Sequence, residues 1–145
     1  MFPFFSENLD IGENYTRGEL CDLMNIRYSE EIECGVFKLK YYSTIILFST
    51  IKNNLKYVNG RFSDTNFLYS SNSYCLDSDI INHQSFRKEL LLLVRIDEST
   101  GFYYFGRCKY SHKLELPRSR FPLYCLELLD TCFSNVKGIE ILEVS

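Results

Sequence analysis

Residues Leu90-Leu-Leu-Leu-Val-Arg-Ile96 are followed by Asp97-Glu-Ser-Thr-Gly101 and then by Phe102-Tyr-Tyr-Phe-Gly-Arg-Cys-Lys-Tyr110. The first run is apolar enough for a strand buried on both faces, and the polar segment that ends in glycine is typical of a turn. The third run alternates, which predicts a second strand paired with the first. Strict alternation puts Phe102, Tyr104, Gly106 and Cys108 on one face and Tyr103, Phe105, Arg107 and Lys109 on the other.

Further strands are predicted on the N-terminal side of this hairpin. The β-branched run Thr44–Ile51 indicates a central strand buried on both faces, and Lys52-Asn-Asn54 a turn. Residues Lys56–Phe62 read as the returning strand, interrupted at Asn59-Gly60 by a bulge or a hairpin turn. Before them, the segment Cys34–Tyr41 alternates lysine with apolar residues, as a half-buried strand does.

Two helices are predicted. Thr16 and Glu19 form a capping-box pattern that begins a short helix over Arg17–Asn25. Pro122 suits the first turn of a second helix. One face of that helix would carry Leu123, Leu126, Leu129 and Phe133.

The order of elements predicts an α+β fold. Its sheet is expected to be curved and mostly antiparallel, or a partly closed barrel, with two flanking helices. Residues 63–88 are rich in Ser, Asn and Asp and read as an irregular loop around the short strand Phe67–Tyr69. Ile139–Val144 reads as a last strand. Residues 1–145 are interpreted as a single domain, with 1–14 as a flexible lead-in.

Composition indicates a globular chain, because 46% of residues are apolar and 24% charged. The six cysteines contain no C-x-x-C pair, and the first residues carry no basic segment typical of a signal peptide. The longest apolar run, Leu90–Val94, is too short to cross a bilayer. We therefore expect a cytoplasmic protein with reduced thiols and no membrane association.

Charge is unevenly spread along the chain. Residues 35–120 hold thirteen basic and seven acidic side chains, a net charge of +6, whereas residues 1–34 and 121–145 carry −6 and −3. A basic middle is a candidate surface for a polyanion such as nucleic acid. The alternative is an ordinary solvated surface with chance clustering.

Motifs of catalysis are missing. None of the eight lysines has an acidic residue two positions before it, as one large nuclease class requires, and neither His83 nor His112 begins a His-x-Lys motif. Tyr104-Phe-Gly-Arg107 matches only half of a GIY-YIG nuclease. Cys and His are too dispersed for a zinc site. The sequence therefore predicts a non-catalytic protein that binds no metal or cofactor.

The segment Phe67-Leu-Tyr-Ser-Ser-Asn72 places aromatic rings beside hydrogen-bonding side chains. Such a segment suits a pocket in which a ring stacks on a flat base and Asn or Ser contacts its edge. The alternative is that Phe67 and Tyr69 are core rings and the polar residues form a turn. Arg95, at the end of an apolar strand, is either a buried ion-pair partner or a groove contact.

From Tyr15 to Lys109 the chain resembles a known family, the SRA/PUA-like C-terminal domains of modification-dependent (type IV) restriction helicases of the SauUSI kind. The matching motifs are Tyr15-Thr-Arg17, Ile46-Leu-Phe48 followed by Tyr57, Phe67-Leu-Tyr-Ser-Ser-Asn72, Leu92-Leu-Val-Arg95 and Phe102-x-Tyr104-Phe-Gly106. The chain departs from the family in carrying no helicase or nuclease, and in having Tyr69 and Asn72 where Trp and Gln are expected.

The resemblance implies a reader of modified DNA, with modified cytosine as the target and base flipping as the mode, serving a restriction or defence system. Its pocket would lie at Tyr69, Ser70, Ser71 and Asn72, supported by Tyr15, Arg17 and Arg95. Activity would come from a fused or associated helicase or nuclease. The alternatives are a PUA-like RNA-binding domain, a protein-interaction module and a nuclease with a non-standard site.

Together these arguments predict two sets of site residues. The predicted base pocket comprises Tyr57, Phe67, Tyr69, Ser70, Ser71 and Asn72. The predicted contacts to the phosphates of double-stranded DNA are Arg17, Arg61, Arg87, Lys88, Arg95, Arg107 and Lys109.

Overall fold

The computed structural model describes residues 2–33, 35–53, 58–61, 63–70, 77–114 and 123–130. The helices are α1 (Arg17–Met24) and α2 (Asp77–Ile81), with 3₁₀ helices at Phe5–Asn8 and Glu30–Glu33. The strands are β1 (Asn14–Tyr15), β2 (Val36–Lys38), β3 (Thr44–Thr50), β4 (Lys52–Asn53), β5 (Val58–Arg61), β6 (Asn66–Ser70), β7 (Glu89–Arg95), β8 (Phe102–Leu114) and β9 (Leu123–Leu128).

The described strands form one open, mixed sheet in the order β2-β3-β7-β8-β9-β6-β5-β4, with β1 paired to β8. Every pairing is antiparallel except β3 with β7, which run parallel in register from Thr44↔Glu89 to Thr50↔Arg95. The predicted α+β fold with a curved, mostly antiparallel sheet and two helices is confirmed.

Apolar side chains pack on both faces of the sheet. We call one cluster the inner core; it comprises Val36, Ile45, Leu47, Phe67, Tyr69, Ile80, Leu90, Leu92, Val94, Phe105, Cys108, Tyr124, Leu126 and Leu128. The outer core comprises Phe5, Leu9, Leu20, Cys21, Met24, Ile32, Leu39, Ile46, Phe48, Leu91, Leu93, Phe102 and Tyr104. Strands β3 and β7 contribute alternate residues to each, so the predicted two-sided burial of β3 is confirmed.

The sheet curves around the inner core. The hydroxyl of Tyr69 in β6 donates a 2.6 Å hydrogen bond to the carbonyl oxygen of Gly35, which directly precedes β2. Strands β6 and β2 lie far apart in the sheet order, so this bond requires the sheet to bend back on itself. Helix α1 and the 3₁₀ segments cover the outer core instead, where the predicted capping box of Thr16 and Glu19 is present.

The second helix predicted from Pro122 onward is wrong, because Leu123–Leu128 is strand β9, paired with β8 and β6. Leu123 and Leu126 are three positions apart, a spacing that places two residues on one face of a helix. Yet all of the first four residues of the segment are buried, which a strand between two neighbours requires. Phe133 and the strand predicted at Ile139–Val144 lie outside the described residues.

Residues 52–88 also differ from the prediction. The turn expected at Lys52-Asn-Asn54 begins as strand β4. Asn59-Gly60 lies within β5, where Asn59 pairs with Lys52 and Gly60 with Leu68, so of the two predicted alternatives, a bulge or a hairpin turn, the hairpin turn is wrong. Strand β5 pairs with β4 and β6, and β3 pairs with β2 and β7, so β3 and β5 are not hairpin partners. The stretch read as an irregular loop contains helix α2 after β6.

Alternation along β8 fails at a bulge. Leu91 pairs with Arg107 but Leu93 pairs with Tyr104, so one extra residue is inserted in β8. The insertion includes Gly106, whose φ is +89°. Beyond a bulge the side chains change faces, and Cys108 therefore joins Phe105 in the inner core, not Phe102 and Tyr104 as predicted.

The N-terminal segment packs against the outer core through Phe5. Phe5 is fully buried in the outer core, and Glu89 fixes the following residue through both carboxylate oxygens. Ser6 donates to Glu89 from its backbone N–H at 3.0 Å and from its hydroxyl at 2.6 Å. Thr44 donates its hydroxyl to the same carboxylate at 2.7 Å and accepts from the Phe5 N–H at 3.0 Å.

Candidate nucleic-acid interface

The six residues of the predicted base pocket fall into two groups: three are buried, and three lie outside the described part of the chain. Phe67 and Tyr69 are both fully buried in the inner core, the placement that the alternative interpretation gave them. Ser70 ends β6 and is also buried. Tyr57, Ser71 and Asn72 lie outside the described residues. As placed, neither buried ring offers a face to a base, and the pocket role of this segment stays a prediction.

Two of the arginines predicted to contact phosphates lie against one aromatic ring, that of Phe102. The guanidinium carbons of Arg17 and Arg95 are 4.8 and 4.7 Å from the Phe102 ring centroid, a cation–π distance. Arg17 also donates from Nε to the Ile32 carbonyl oxygen at 2.9 Å. Arg95 donates from Nε to the Thr50 hydroxyl at 2.7 Å. Both side chains are half-buried, so each has a structural role at the edge of the outer core.

Arg107 is held by an acidic partner. Its Nε donates to Asp130 at 2.9 Å and its terminal nitrogen at 2.7 Å, a two-point ion pair. The bonded guanidinium holds the pKa of the Asp130 carboxyl below its ordinary value. A phosphate that contacted Arg107 would therefore compete with Asp130.

The cations predicted near residue 88 surround helix α2. Burial, with the charge of Lys38 nearby, lowers the pKa of Lys88. Lys38 makes a 3.2 Å ion pair with Asp79 of α2. The charge of Lys109 acts on His83, which follows α2. Arg87 is exposed in a left-handed conformation with φ of +56°, and the side chain of Arg61 lies outside the described ones. Lys38, absent from the predicted set, thus belongs to this group.

A cleft of about 220 Å³ opens between the C-terminal end of α1 and the β2–β3 connection. Its lining combines rings and aliphatic groups with three cations: Met24, Ile26, Arg27, Ser29, Phe37, Lys38, Leu39, Lys40, Tyr41 and Tyr42. None of these ten residues carries a carboxylate. We refer to it as the α1–β2 cleft.

The mouth of the α1–β2 cleft is aromatic and exposed. Tyr41 is 61% exposed, and the Lys40 ammonium lies 5.5 Å from the centroid of its ring. Phe2, itself 54% exposed, meets Tyr41 edge to face at 6.4 Å. Tyr42 is fixed by an edge-to-face contact of 5.1 Å with the buried Phe5. One ring is therefore held by the core and the other faces solvent.

Sequence reasoning missed this cleft because it treated Cys34–Tyr41 as one strand with a buried face. The structure ends β2 at Lys38, and the residues that follow turn back toward β3. The signal that was present is the succession Phe37-Lys-Leu-Lys-Tyr-Tyr42, in which two lysines alternate with rings and a leucine. Alternation of this kind also fits a basic, aromatic nucleic-acid surface.

Among the described residues, no three His, Cys, Asp or Glu side chains are grouped so as to hold a metal ion. No helix of the described chain is long and apolar enough to span a membrane.

The open, curved sheet with its two helices defines a small α+β domain that carries a basic, ring-lined cleft. The chain belongs to the family described as "Domain of unknown function (DUF3427)", whose profile matches residues 9–120. None of the curated proteins matches it in sequence.

Two of the solved structures that are similar to this chain come from modification-dependent restriction endonucleases. The DNA modification-dependent restriction endonuclease AspBHI matches 85% of this chain and 74% of its own, with a TM-score of 0.55 and 12% identity. The DNA recognition domain of the cytosine modification-dependent restriction endonuclease LpnPI matches 90% of this chain and 79% of its own, with a TM-score of 0.47 and 10% identity. The likeness to AspBHI shows a shared fold, so the predicted resemblance to modification-dependent restriction proteins is confirmed at that level.

Proposed function

We propose that this domain binds double-stranded DNA and recognises a modified base, in particular a modified cytosine, for a restriction or defence system. The observation that carries the proposal is the fold that the chain shares with AspBHI, a DNA modification-dependent restriction endonuclease, over 85% of its length. A fold alone does not fix a function, and the chemistry of the surface supplies the further argument.

The surface supports a polyanionic ligand. Residues 35–120 carry a net charge of +6, and the α1–β2 cleft brings three of the chain's basic side chains together beside exposed rings. Lys88 adds a further cation close to Lys38. Contacts from Lys and Arg to phosphates position a protein on DNA, whereas rings and polar groups distinguish its bases.

The proposal is of a non-catalytic reader. The sequence holds none of the nuclease motifs considered, and the described residues group no potential metal ligands. Cleavage or strand separation would then come from a fused or associated nuclease or helicase. The partner of the domain itself would be DNA that carries the modified base.

Binding to matched duplexes tests the proposal. The purified chain is titrated with one duplex in three forms, containing cytosine, 5-methylcytosine or 5-hydroxymethylcytosine at the same position, at two salt concentrations. We expect preference for a modified form at both, while overall affinity falls with salt because phosphate contacts release counterions. Single-stranded and structured RNA serve as competitors.

Three outcomes would contradict the proposal. Equal affinity for the three duplexes, lost at higher salt, would leave only a basic surface. Stronger competition by RNA than by modified duplex would favour the PUA-like RNA-binding alternative. Absence of nucleic-acid binding at low salt would favour a protein-interaction module.

A further inference from the structure

We infer that helix α2 regulates DNA binding: its aspartates neutralise lysines that contact DNA phosphates in the complex, and the phosphates replace the aspartates when DNA binds. The inference rests on the proposed function for its partner, double-stranded DNA. The surface concerned surrounds α2 on the inner face of the sheet. We call its cations the α2 lysines; they are Lys38, Lys88, Lys109 and Lys113.

Helix α2 lies across the concave face of the sheet, where its Ile80 is buried in the inner core. Residues two positions apart point to nearly opposite sides of a helix, and Asp77 and Asp79 accordingly reach different strands. Asp79 pairs with Lys38 of β2 at 3.2 Å, and Asp77 pairs with Lys113 of β8 at 3.0 Å. Since β3 and β7 lie between them, β2 and β8 are roughly 14 Å apart measured along the sheet.

The two aspartates neutralise the four α2 lysines only in part. Neither Lys88 nor Lys109 makes an ion pair within the part of the chain that the structure describes. Burial lowers the pKa of Lys88, and the charges of both Lys38 and Asp79 act on it, so two ammonium groups share one carboxylate. A further anion at this position would relieve the repulsion between them.

A duplex suits the α2 lysines better than a single small anion does. Each DNA strand carries one phosphate per roughly 3.4 Å of helix axis, so lysines on strands roughly 14 Å apart meet several phosphates at once. Lys38 also lines the α1–β2 cleft, so the two basic regions meet at β2, the end strand of the described sheet. A duplex at this margin of the sheet can contact both regions.

The exchange requires side chains to turn and leaves the helix in place. The side chains of Lys38 and Lys113 are 44% and 38% exposed, and ion pairs exposed to this degree contribute little to stability. Helix α2 is anchored separately, by the buried Ile80 and by the hydroxyl of Tyr124, which donates to Asp77. Phosphates can therefore displace the carboxylates from the lysines without unfolding α2.

Titration of the purified chain with duplexes containing cytosine or 5-methylcytosine tests the inference. Salt is held at about 0.15 M, where the Debye length of about 8 Å screens distant charges. We expect Asp79→Asn to strengthen binding about two- to fivefold, the equivalent of one exposed ion pair that no longer has to be broken. Lys113→Gln should weaken binding, and over a salt series it should reduce the slope of log affinity against log salt by about 0.9.

A double-mutant cycle shows whether Lys38 and Asp79 act through one another. Lys38→Gln should weaken binding more in the Asp79→Asn chain than in the wild type, because in the wild type the Lys38 ammonium must first leave its partner. Two matched controls should leave the affinity unchanged. Asp22→Asn removes an exposed carboxylate from α1, which covers the outer core, and His112→Gln replaces the exposed neighbour of Lys113.

Urea unfolding establishes that each variant is folded, as expected for substitutions outside the core. Equal affinities of Asp79→Asn and Asp22→Asn, or unchanged binding by Lys113→Gln, would overturn the inference, and a wild-type preference for the modified duplex would then still support the proposed function. The expected changes in a chain that binds modified and unmodified duplexes alike would support the role of α2 and contradict the recognition of a modified base.

Discussion

Phe102 shows how a single ring organises charges that are distant in sequence. Arg17 of α1 and Arg95 of β7 both lie within cation–π distance of it. The resemblance motifs pointed to both arginines, but nothing in the sequence indicated that they meet at one ring. Phosphate contact by either would therefore be coupled to the packing of the outer core.

His83 is the described residue with the clearest pH-dependent role. It is buried, and its Nε2 accepts the Tyr110 N–H at 3.2 Å, so Nδ1 carries the proton donated to the Lys88 carbonyl oxygen at 2.9 Å. Burial lowers the pKa of His83 from the ordinary 6.5, an effect that Lys109 reinforces. The folded chain thus resists protonation of this ring.

Because the unfolded chain binds the proton more readily, the contribution of neutral His83 to stability is complete above about pH 6.5 and is lost as pH falls below it. We expect a smaller free energy of unfolding by urea at about pH 5.5 than at about pH 7.5. His83→Gln should reduce that difference, whereas His112→Gln, at an exposed position, should keep it. Equal pH dependence in all three chains would refute the assignment.

Among the strands, the sequence predicted those whose own apolar composition is enough to indicate that they are buried. Thr44–Thr50 and Glu89–Arg95 each contain a continuous apolar run, and both are strands buried at nearly every position. It could not predict that they pair in parallel, because this depends on contacts across the whole chain. The prediction for Leu123–Leu128 was wrong for a related reason: its short apolar run, Leu123–Leu126, fits a helix face and a buried strand equally well.

The bulge in β8 can be tested by replacing its glycine, Gly106. Gly106 has φ of +89°, and a Cβ there would lie 2.8 Å from the Asp130 Cβ. We expect Gly106→Ala to lower the free energy of unfolding by about 1–3 kcal/mol, from backbone strain and displacement of Asp130.

Gly18→Ala is the control for the glycine replacement. Its Cβ would meet only the Thr16 hydroxyl, at 3.8 Å, inside helix α1. Alanine favours a helix over glycine by up to about 1 kcal/mol, so this variant should be equally or more stable. Urea unfolding measures both. A Gly106→Ala chain as stable as Gly18→Ala would show that the bulge tolerates a side chain.

For the molecule as a whole, the only property of the candidate site that the sequence predicted is its positive charge. The net +6 of residues 35–120 indicated a polyanion surface, and the α1–β2 cleft lies partly within that range. The rings that form the cleft could not be chosen in advance among 12 Phe and 11 Tyr. Their exposure depends on where β2 ends, which local sequence does not determine.

The curvature of the sheet can be tested through Tyr69. Tyr69→Phe removes the 2.6 Å hydrogen bond to Gly35 that joins β6 to the start of β2. We expect a loss of about 1–3 kcal/mol in the free energy of unfolding, since a carbonyl loses its donor. Discrimination among the duplexes should not change, because the Tyr69 ring lies in the core.

Tyr103→Phe is the matched control, since Tyr103 packs against the inner core and its hydroxyl makes no hydrogen bond within the described chain. It should unfold at the same urea concentration as the wild type. A Tyr69→Phe chain of wild-type stability that had lost its preference for modified DNA would instead place Tyr69 in the base pocket.

The parallel pairing of β3 with β7 sets an order in which the chain can fold. Their paired residues, such as Thr44 and Glu89, are 45 positions apart. By contrast, β7 and β8 are joined by a tight turn, so their hairpin can form early from local contacts. We expect β3 to pair with β7 only after the segment of chain between these two strands has brought them together. That entropic barrier makes folding slower than for a sheet of local hairpins alone.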